Sequence, residues 1–406
     1  MIKKTFNLIK HYVNKIIVFF KSLDSRRHLK KHKKEKVGKG DIVKVAFLVF
    51  EPETWDKQEP IYRELKEREN VQVDVVVIPN FDVDFSVRKN YGKEIKFFES
   101  NCENIIHAYD DNGKLYDLKK AGYKYVFYED LYNPHYPKKY NTYIVNKFAK
   151  ICNIPYGFNG TPMFLECYNM DFFKDVYMAF APSESVKNYL IKMFYKNYKS
   201  GIQLIEFLGY PALEKCWNST LKIENSILWT PRWSYDKKIG GSHFLEFKDE
   251  FVKLRTIYPK VRLILRPHPM MFTEFQNKGL MRKSDILDYM SKLQDNNIEL
   301  SSGGNINDDF ERAEILITDY SSIILMFFLT GKPIIYCKCN LNFNEEYLRM
   351  IPGLYIAENW VDVNNYISEI RSGNDYLKHN REQIISEFIN EHNHSAKKIV
   401  DFVLRN

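Results

Sequence analysis

The sequence lacks most of the motifs that identify common classes of enzyme. Its six cysteines are scattered, and the one close pair, Cys337 and Cys339, lies in an apolar strand-like run without the spacing of a metal site. It contains no H-E-x-x-H, EF-hand, G-x-x-x-x-G-K-[ST] or G-x-S-x-G motif. We therefore expect no metal ion, no cofactor and no serine nucleophile. Scattered cysteines are typical of a reducing compartment.

The chain has no net positive charge outside the amino terminus. The net charge is +8, but residues 1–39 alone carry +11, so the rest of the chain carries −3. A nucleic-acid-binding body has a basic face. The charge distribution therefore argues against nucleic acid as a partner.

Long apolar runs are also missing from the amino-terminal segment. Lysines interrupt residues 1–20 too often for a signal peptide or a spanning helix, although Ile2, Phe6, Ile9 and Val13 recur at helical spacing. A basic stretch, RRHLKKHKKEK, follows. We expect residues 1–40 to form a basic amphipathic helical segment on an anionic membrane surface, where each Lys or Arg adds about 1 kcal/mol. The alternative is a disordered basic tail with a helix docked on the body.

The body of the chain shows two successive α/β patterns. Strands predicted at Val43–Phe50 and Gln72–Ile78 flank a helix, and the pattern restarts at Ile227–Thr230. Helices are also predicted over Tyr143–Cys152 and 375–404. We predict two Rossmann-like domains facing each other across a cleft, at residues 41–212 and 213–406, with a last helix that can cross back to the first domain. Ligands in such sheets bind at the carboxyl ends of the strands.

A polar cluster follows a buried strand in ITDYSSIILMFF. Asp319 directly follows the strand predicted at Glu314–Thr318, and Ser321 and Ser322 begin a helix. Free N–H groups at a helix start bind anions, so we predict a pyrophosphate site here. The alternative is that one serine merely caps the helix.

Two further clusters follow predicted strands of the second half. In RPHP, prolines stiffen the backbone around His268, which can donate to a phosphate or shuttle a proton. Arg266 offers a fork of donors suited to phosphate. In ILWTPRW, Arg232 either clamps the donor phosphates or stacks on Trp233 or Trp229.

One cluster in the first half, IPYGFNGTPMF, suits an acceptor. Gly160 allows a tight turn and close ligand approach. Asn159 and Thr161 can hydrogen-bond an acceptor hydroxyl. We predict an acceptor-side contact at these three residues.

The ordered set RPHP, ITDYSS and GKPIIYC resembles the CDP-glycerol glycerophosphotransferase family, which includes primases and polymerases of wall teichoic acid and related capsule enzymes. The resemblance covers residues 205–340. It implies a GT-B fold, a CDP-linked polyol donor on the second half, metal-independent transfer and a polyprenyl-linked acceptor at the membrane. By position it also implies catalytic or donor-phosphate roles for Arg266 and His268 and donor-binding roles for Asp319, Ser321 and Ser322.

The chain departs from that family at one motif. The family commonly has His-Gly-Thr-Pro in its first half, with the histidine as a candidate base, but here Asn159 precedes Gly160 and Thr161. Asparagine cannot take up a proton at neutral pH. Either another group acts as base, with Glu129, Asp130 and His135 as the candidates, or the chain belongs to a divergent subfamily with another acceptor or donor.

Together these features favour a cytoplasmic enzyme attached to the inner face of the cell membrane. It would transfer glycerol phosphate, or a similar polyol phosphate, from a CDP-linked donor to a membrane-linked teichoic-acid or capsule polymer and expel CMP. Two alternatives stay open, since fold alone does not decide function. One is an inverting GT-B glycosyltransferase that uses a nucleotide sugar for capsule or lipooligosaccharide. The other is a membrane-attached binding protein without activity.

Overall fold

The structure, a computed structural model, describes residues 21–36, 38, 40–79, 92–155, 157–158, 160–162, 165, 168, 170–218, 224–301 and 306–406. The amphipathic stretch predicted at residues 1–20 lies outside these ranges. The described residues divide into two compact units. The first unit comprises Met1–Gly157, Leu165–Ala212 and His394–Asn406, and the second comprises Phe158–Phe164 and Leu213–Asn393.

The first unit contains a seven-stranded, all-parallel sheet in the order β3-β2-β1-β4-β5-β6-β7. Helices cover both faces of such sheets, and most strand residues of this sheet are accordingly apolar rather than alternating with polar ones. The strands are β1 (Val43–Val49), β2 (Val71–Val77), β3 (Ile105–His107), β4 (Tyr125–Tyr128), β5 (Lys150–Asn153), β6 (Met178–Phe180) and β7 (Leu204–Glu206).

Nine α-helices of the described residues belong to the first unit. They are α1 (residues 21–34), α2 (Glu59–Lys66), α3 (Lys93–Asn101), α4 (Leu118–Ala121), α5 (Thr142–Val145), α6 (Met170–Phe173), α7 (Glu184–Met193), α8 (Tyr195–Lys199) and, from the carboxyl terminus, α18 (Ser395–Arg405).

Helix α1 carries much of the basic stretch and is docked on the first unit. Its inner face buries Ser25, Leu29 and His32. His32 Nε2 lies 2.7 Å from the carbonyl oxygen of Asn146. The exposed face of α1 carries most of its lysines. The basic stretch is therefore an ordered helix with a cationic outer face.

The second unit contains a six-stranded, all-parallel sheet in the order β10-β9-β8-β11-β12-β13. This is the Rossmann strand order, whose direction reverses between β8 and β11, and ligands bind at that switch point. The strands are β8 (Ser226–Thr230), β9 (Arg262–Leu265), β10 (Glu299–Leu300), β11 (Ile315–Thr318), β12 (Ile334–Cys337) and β13 (Tyr355–Ala357).

Nine α-helices of the described residues pack in the second unit. The core beneath them includes Trp229, which is fully buried and stacks on Phe244 at 5.6 Å. The helices are α9 (Glu214–Asn218), α10 (Phe244–Ile257), α11 (Met271–Asn277), α12 (Lys283–Asp295), α13 (Ile306–Arg312), α14 (Ile323–Phe328), α15 (Glu345–Met350), α16 (Trp360–Arg371) and α17 (Lys378–His392).

The predicted α/β fold with two Rossmann-like sheets is confirmed, but one helix prediction was wrong in extent. The helix expected over Tyr143–Cys152 ends at Val145, and β5 begins at Lys150 within that range. The region predicted to be helical over 375–404 contains two helices, α17 and α18, which are separated where His394 adopts a left-handed conformation with φ 56°. No helix within the described residues is long and apolar enough to cross a membrane.

Candidate donor site at the switch point of the second unit

The three polar clusters predicted in the second half follow three neighbouring strands. Arg232 follows β8, Arg266 follows β9 and Asp319 follows β11, and β8 lies between the other two strands. Thr230 and Thr318, the last residues of β8 and β11, are register partners whose hydroxyls are 2.8 Å apart. The carboxyl ends of β8 and β11 therefore meet at the switch point.

Asp319 is a fully buried carboxylate that organises this point. It accepts hydrogen bonds from the N–H of Arg232 at 2.9 Å and from the hydroxyl of Ser242 at 3.3 Å. The N–H of His243, at the start of α10, donates to both oxygens at 3.4 Å. The positive end of the α10 dipole also stabilises a carboxylate here. Asp319 thus ties both ends of the β8–α10 loop to β11.

Arg232 is a nearly buried guanidinium, 7% exposed. Its Nη1 donates to the carbonyl oxygen of Tyr320 at 2.9 Å, and its Cζ lies 5.1 Å from the Tyr320 ring centroid. Of the two tryptophans considered as stacking partners, Trp233 lies 6.0 Å from the guanidinium, whereas Trp229 packs in the core. The side chain is therefore held in one orientation by backbone and aromatic contacts.

His243 carries the only imidazole bonded to Asp319 among the described residues. Its Nδ1 lies 2.6 Å from Asp319 Oδ1, and its ring stacks on Phe247 at 5.0 Å. Burial acts to lower the pKa of His243, but the hydrogen bond to Asp319 and the charge of that carboxylate outweigh burial and raise it. The ring is therefore protonated more readily than a free histidine.

His268 lies beside Arg232, and its pKa is shifted in the opposite direction to that of His243. The Met270 N–H donates to its Nδ1 at 3.2 Å, and its ring centroid is 6.4 Å from that of Trp233. The residue is exposed on one side, yet surrounding protein atoms and then the charge of Arg232 lower the pKa of His268 to about 4. The neutral ring accepts at Nδ1, so its proton is on Nε2, which can donate to a ligand.

Arg266 is anchored on the β10 side of β9. Its Nη1 donates to Asp309 at 2.7 Å and to the hydroxyl of Ser301 at 3.1 Å. Burial acts to raise the pKa of Asp309, but hydrogen bonds from Ser301, Arg266 and Arg312 outweigh burial and lower it. A buried carboxylate thus balances the charge of Arg266 and fixes its position.

The two serines after Asp319 begin a short helix. Helix α14 has six residues, and Ser322, its N-cap, makes no side-chain cap bond. The Ser321 hydroxyl lies 3.4 Å from the N–H of Ile323, at the limit of a hydrogen bond, and Tyr347 donates to the Ser321 carbonyl at 3.2 Å. Capping therefore does not occupy the hydroxyl of Ser322, which is exposed.

The acceptor-side cluster was predicted in the first domain, but Gly160 and Thr161 belong to the second unit. The Gly160 N–H donates to the Tyr320 hydroxyl at 3.1 Å, and its carbonyl accepts from the Asn344 N–H at 2.8 Å. Thr161 is buried beside them. Asn159 lies outside the described residues. Gly160 is thus bonded directly to the aromatic residue that follows Asp319.

The candidate bases of the first unit differ in accessibility. Glu129 is 1% exposed and bonded to the backbone. Asp130 Oδ2 hydrogen-bonds His135 Nδ1, and the His135 side chain is 27% exposed. Of the three candidates, His135 is the most exposed.

A family model describes 224 residues of this chain. It is the model for CDP-glycerol:poly(glycerophosphate) glycerophosphotransferase, and it matches residues 182–405. The match spans more than half of the sequence. The chain belongs to this glycerophosphotransferase family. The predicted resemblance is confirmed, as is the prediction of a CDP-glycerol glycerophosphotransferase.

Solved structures similar to this glycerophosphotransferase support the GT-B fold. UDP-GlcNAc 2-epimerase from Neisseria meningitidis, bound to UDP-GlcNAc, has a TM-score of 0.56 at 13% identity, with 90% of this chain and 100% of that chain covered. The S. aureus MnaA–UDP structure has a TM-score of 0.53 at 14% identity, with coverage of 89% and 96%. The wall teichoic acid polymerase TagF, soaked with CDPG, has a TM-score of 0.50 at 12% identity, with coverage of 98% and 96%. No curated protein sequence matches significantly.

One group of potential metal ligands exists among the described residues of this glycerophosphotransferase. Ligand atoms of His243, Asp319 and Cys337 lie within 4.8 Å of one another. Nδ1 of His243 is already bonded to Asp319, and burial raises the pKa of Cys337 well above its usual value, so the thiol stays protonated. We interpret the group as a hydrogen-bonded cluster.

Sequence reasoning missed two residues of this site. His243 directly precedes the predicted helix Phe244–Tyr258, at a position where side chains bond to free N–H groups or to neighbouring loops. That N-terminal position after a polar, glycine-bearing loop was the available signal. Asp309, the partner of Arg266, lies in a helix that was not predicted, so no local pattern indicated the ion pair.

Proposed function

We propose that this glycerophosphotransferase moves glycerol phosphate from CDP-glycerol to the terminal hydroxyl of a membrane-linked polyol-phosphate polymer. Family membership together with three polar clusters on the adjacent strands β9, β8 and β11 supports this proposal. The observation that carries it is the location of Arg232 and Asp319 at the switch point, where Rossmann-like sheets bind nucleotides.

In the proposed reaction the acceptor hydroxyl oxygen attacks the phosphorus that bears glycerol. The bond from that phosphorus to the bridging oxygen breaks, and CMP leaves with the electron pair. Catalysis of this kind consists mainly of positioning and charge stabilisation. Neutral His268 would donate its Nε2 proton to a phosphate oxygen, and Arg232 would offset developing negative charge.

The proton of the acceptor hydroxyl needs a base. We propose His135 for this role because Asp130 accepts from its Nδ1–H, so that the lone pair of the neutral ring is on Nε2, and because its side chain is partly exposed. The arrangement resembles other carboxylate–histidine pairs, in which the carboxylate fixes the tautomer. It would replace the histidine that the family commonly has where this chain has Asn159.

We also propose that the acceptor is polyprenyl-linked and that the enzyme works on an anionic membrane surface. The support is the outer face of α1, where Lys30, Lys31 and Lys34 are exposed. Basic residues near anionic lipid each contribute about 1 kcal/mol, and salt screens the contribution.

The test is a donor screen on vesicles that carry a polyprenyl-linked acceptor, with and without anionic lipid. CDP-glycerol, CDP-ribitol and common nucleotide sugars are compared by nucleotide release, and products are weighed by mass spectrometry. We expect CMP release from CDP-glycerol, a product heavier by glycerol phosphate, and faster turnover on anionic vesicles. Addition of a hexose instead would establish the glycosyltransferase alternative, and binding without turnover would establish the binding protein.

A further inference from the structure

His243 is an imidazole fixed on three sides. Asp319 holds its Nδ1 at 2.6 Å, its own backbone N–H is bonded to the same carboxylate, and Phe247 covers one ring face. The side chain is nonetheless 16% exposed. Among the described residues, none hydrogen-bonds to its Nε2. When it is protonated, a ring held this way presents its Nε2–H in a fixed direction.

The loop before His243 passes beside Arg232. Gly240 has φ 107°, and a Cβ on it would lie 3.5 Å from Arg232 Nε and 2.7 Å from a Leu341 methyl. Both ends of the loop are tied to Asp319, at Arg232 and at His243. One carboxylate therefore holds both ends of the loop that connects Arg232 with His243, and a Cβ at Gly240 would require the Leu341 side chain to move.

The groups around His243 carry more positive than negative charge when its ring is protonated. Asp319 and Glu246 favour the protonated ring, whereas burial and Lys237 oppose it. The backbone N–H of Arg232 is bonded to the same carboxylate, the charge of Asp319 acts on the Arg232 guanidinium, and the nearby Cys337 thiol is neutral. When His243 is protonated, one buried carboxylate faces two cations, and the site attracts an anion.

We propose that His243 is a phosphate-binding residue, whose Nε2–H donates to a non-bridging oxygen of the donor diphosphate, and that Asp319 is the residue that positions it. The proposal rests on the proposed function only for the identity of the donor. Any diphosphate-linked donor bound at the switch point would meet the same N–H. Asp319 then acts on the donor through His243 and Arg232, since its own oxygens are bonded within the protein.

A protonated ring binds an anion better than a neutral one, so donor binding depends on pH. Because the pKa of His243 is raised above its ordinary 6.5, the cation is fully present below that value and is lost as pH rises through the raised pKa. Donor affinity should therefore be highest in mildly acidic solution and fall on the alkaline side of 6.5. His268 does not add to this change, because it is already neutral there.

The experiment is calorimetric titration of the full chain with CDP-glycerol from pH 6 to 9, with cytidine as a probe that lacks phosphate. His243→Gln keeps a side-chain donor but removes the charge. We expect about tenfold weaker CDP-glycerol binding at pH 6, consistent with the loss of a charge-assisted hydrogen bond. We also expect a flat pH profile and unchanged cytidine binding. His379→Ala, an exposed histidine on α17, is the matched control and should bind like the unchanged protein.

Asp319→Asn tests the positioning role separately. Without its carboxylate partner the His243 imidazole loses the interaction that raises its pKa, so the fall in affinity should move to lower pH. Imidazole NMR of His243 reports the same shift without any ligand, and circular dichroism checks that the variant is folded.

Two outcomes would overturn the inference. One is a His243→Gln variant that keeps both the affinity for CDP-glycerol and its pH dependence. The other is an Asp319→Asn variant in which the His243 imidazole titrates as it does in the unchanged protein. Failure of the proposed function looks different. If the chain binds a UDP-sugar and not CDP-glycerol, and His243→Gln removes the pH dependence of that binding, the donor assignment is wrong but His243 still binds phosphate.

Discussion

The switch points of the two units share one design. In the first unit Glu129 directly follows β4 and accepts the N–H groups of Phe50 and Glu51, just beyond β1, at 2.6 and 3.0 Å. In the second unit Asp319 directly follows β11 and accepts the N–H of Arg232, just beyond β8, at 2.9 Å. Each buried carboxylate therefore links the segments that follow two neighbouring parallel strands.

The two carboxylates differ in their remaining partners. Thr54 donates to Glu129 Oε1 at 2.8 Å, and the fully buried Lys57 lies beside it. Burial raises the pKa of Glu129 and lowers that of Lys57. Asp319 instead bonds His243, whose ring reaches solvent. The first carboxylate is sealed and structural, whereas the second holds a group that a ligand can touch.

The same contrast separates the two histidines of the second unit. His243, bonded to a carboxylate, has a raised pKa, and His268, bonded to a backbone N–H and lying near Arg232, has a lowered one. One ring therefore offers a charge that depends on pH, and the other offers a neutral N–H. A site with both can bind a diphosphate and still donate to it when the ring of His243 is neutral.

We expect the largest effect from a substitution of Glu129, the buried carboxylate of the first unit. Glu129→Gln replaces an acceptor by an amide that cannot accept at both positions, and it removes the negative charge nearest Lys57. We expect a loss of about 3 kcal/mol in the free energy of unfolding, measured in urea. The pH dependence of donor binding in the folded fraction should not change. An unchanged urea midpoint would show that the carboxylate does not hold the switch point.

The next effect concerns His268. His268→Ala removes the neutral donor, and we expect kcat to fall about 100-fold, as for the loss of one positioned proton donor. The residue is exposed, so the unfolding midpoint should stay the same. The residual activity should keep the pH profile of the unchanged enzyme. Near-normal CMP release would remove His268 from the mechanism, and a flattened profile would mean that His268 is the group that titrates.

The smallest effect tests how far the second switch point depends on the segment around Gly160. A Cβ at Gly160 would lie 2.4–2.5 Å from the ring of Tyr347, which packs against it. Gly160→Ala should therefore cost about 2 kcal/mol of stability through overpacking. The matched control is Gly157→Ala, where nothing lies within 4 Å of the added Cβ and little change is expected. Equal unfolding midpoints for the two variants would contradict the packing.

Much of the second unit could be predicted because its strands are short apolar runs followed by polar clusters. Phe244–Ile257 and Ile323–Phe328 match their predicted ranges to within one residue. The edge strand β10 was not predicted, since two residues carry no periodicity. Strand β5 was mistaken for helix because a run such as KICN fits both structures, and only pairing with β4 decides between them.

Of the site, the sequence indicated which residues follow the strands but not which of them meet. That His243 reaches Asp319 across 76 positions is a consequence of the tertiary fold. The same holds for Gly160, whose neighbours Tyr320 and Tyr347 come from distant segments. Local patterns predict where strands end, but the path of the loops in the tertiary fold determines which side chains bond to the same carboxylate.

The most direct test is a crystal structure of the full chain with CDP-glycerol bound. We predict that the diphosphate lies at the carboxyl ends of β8 and β11, within hydrogen-bonding distance of the Nε2 atoms of His243 and His268. A diphosphate bound away from both imidazoles, with the nucleotide ordered elsewhere on the second unit, would contradict this prediction.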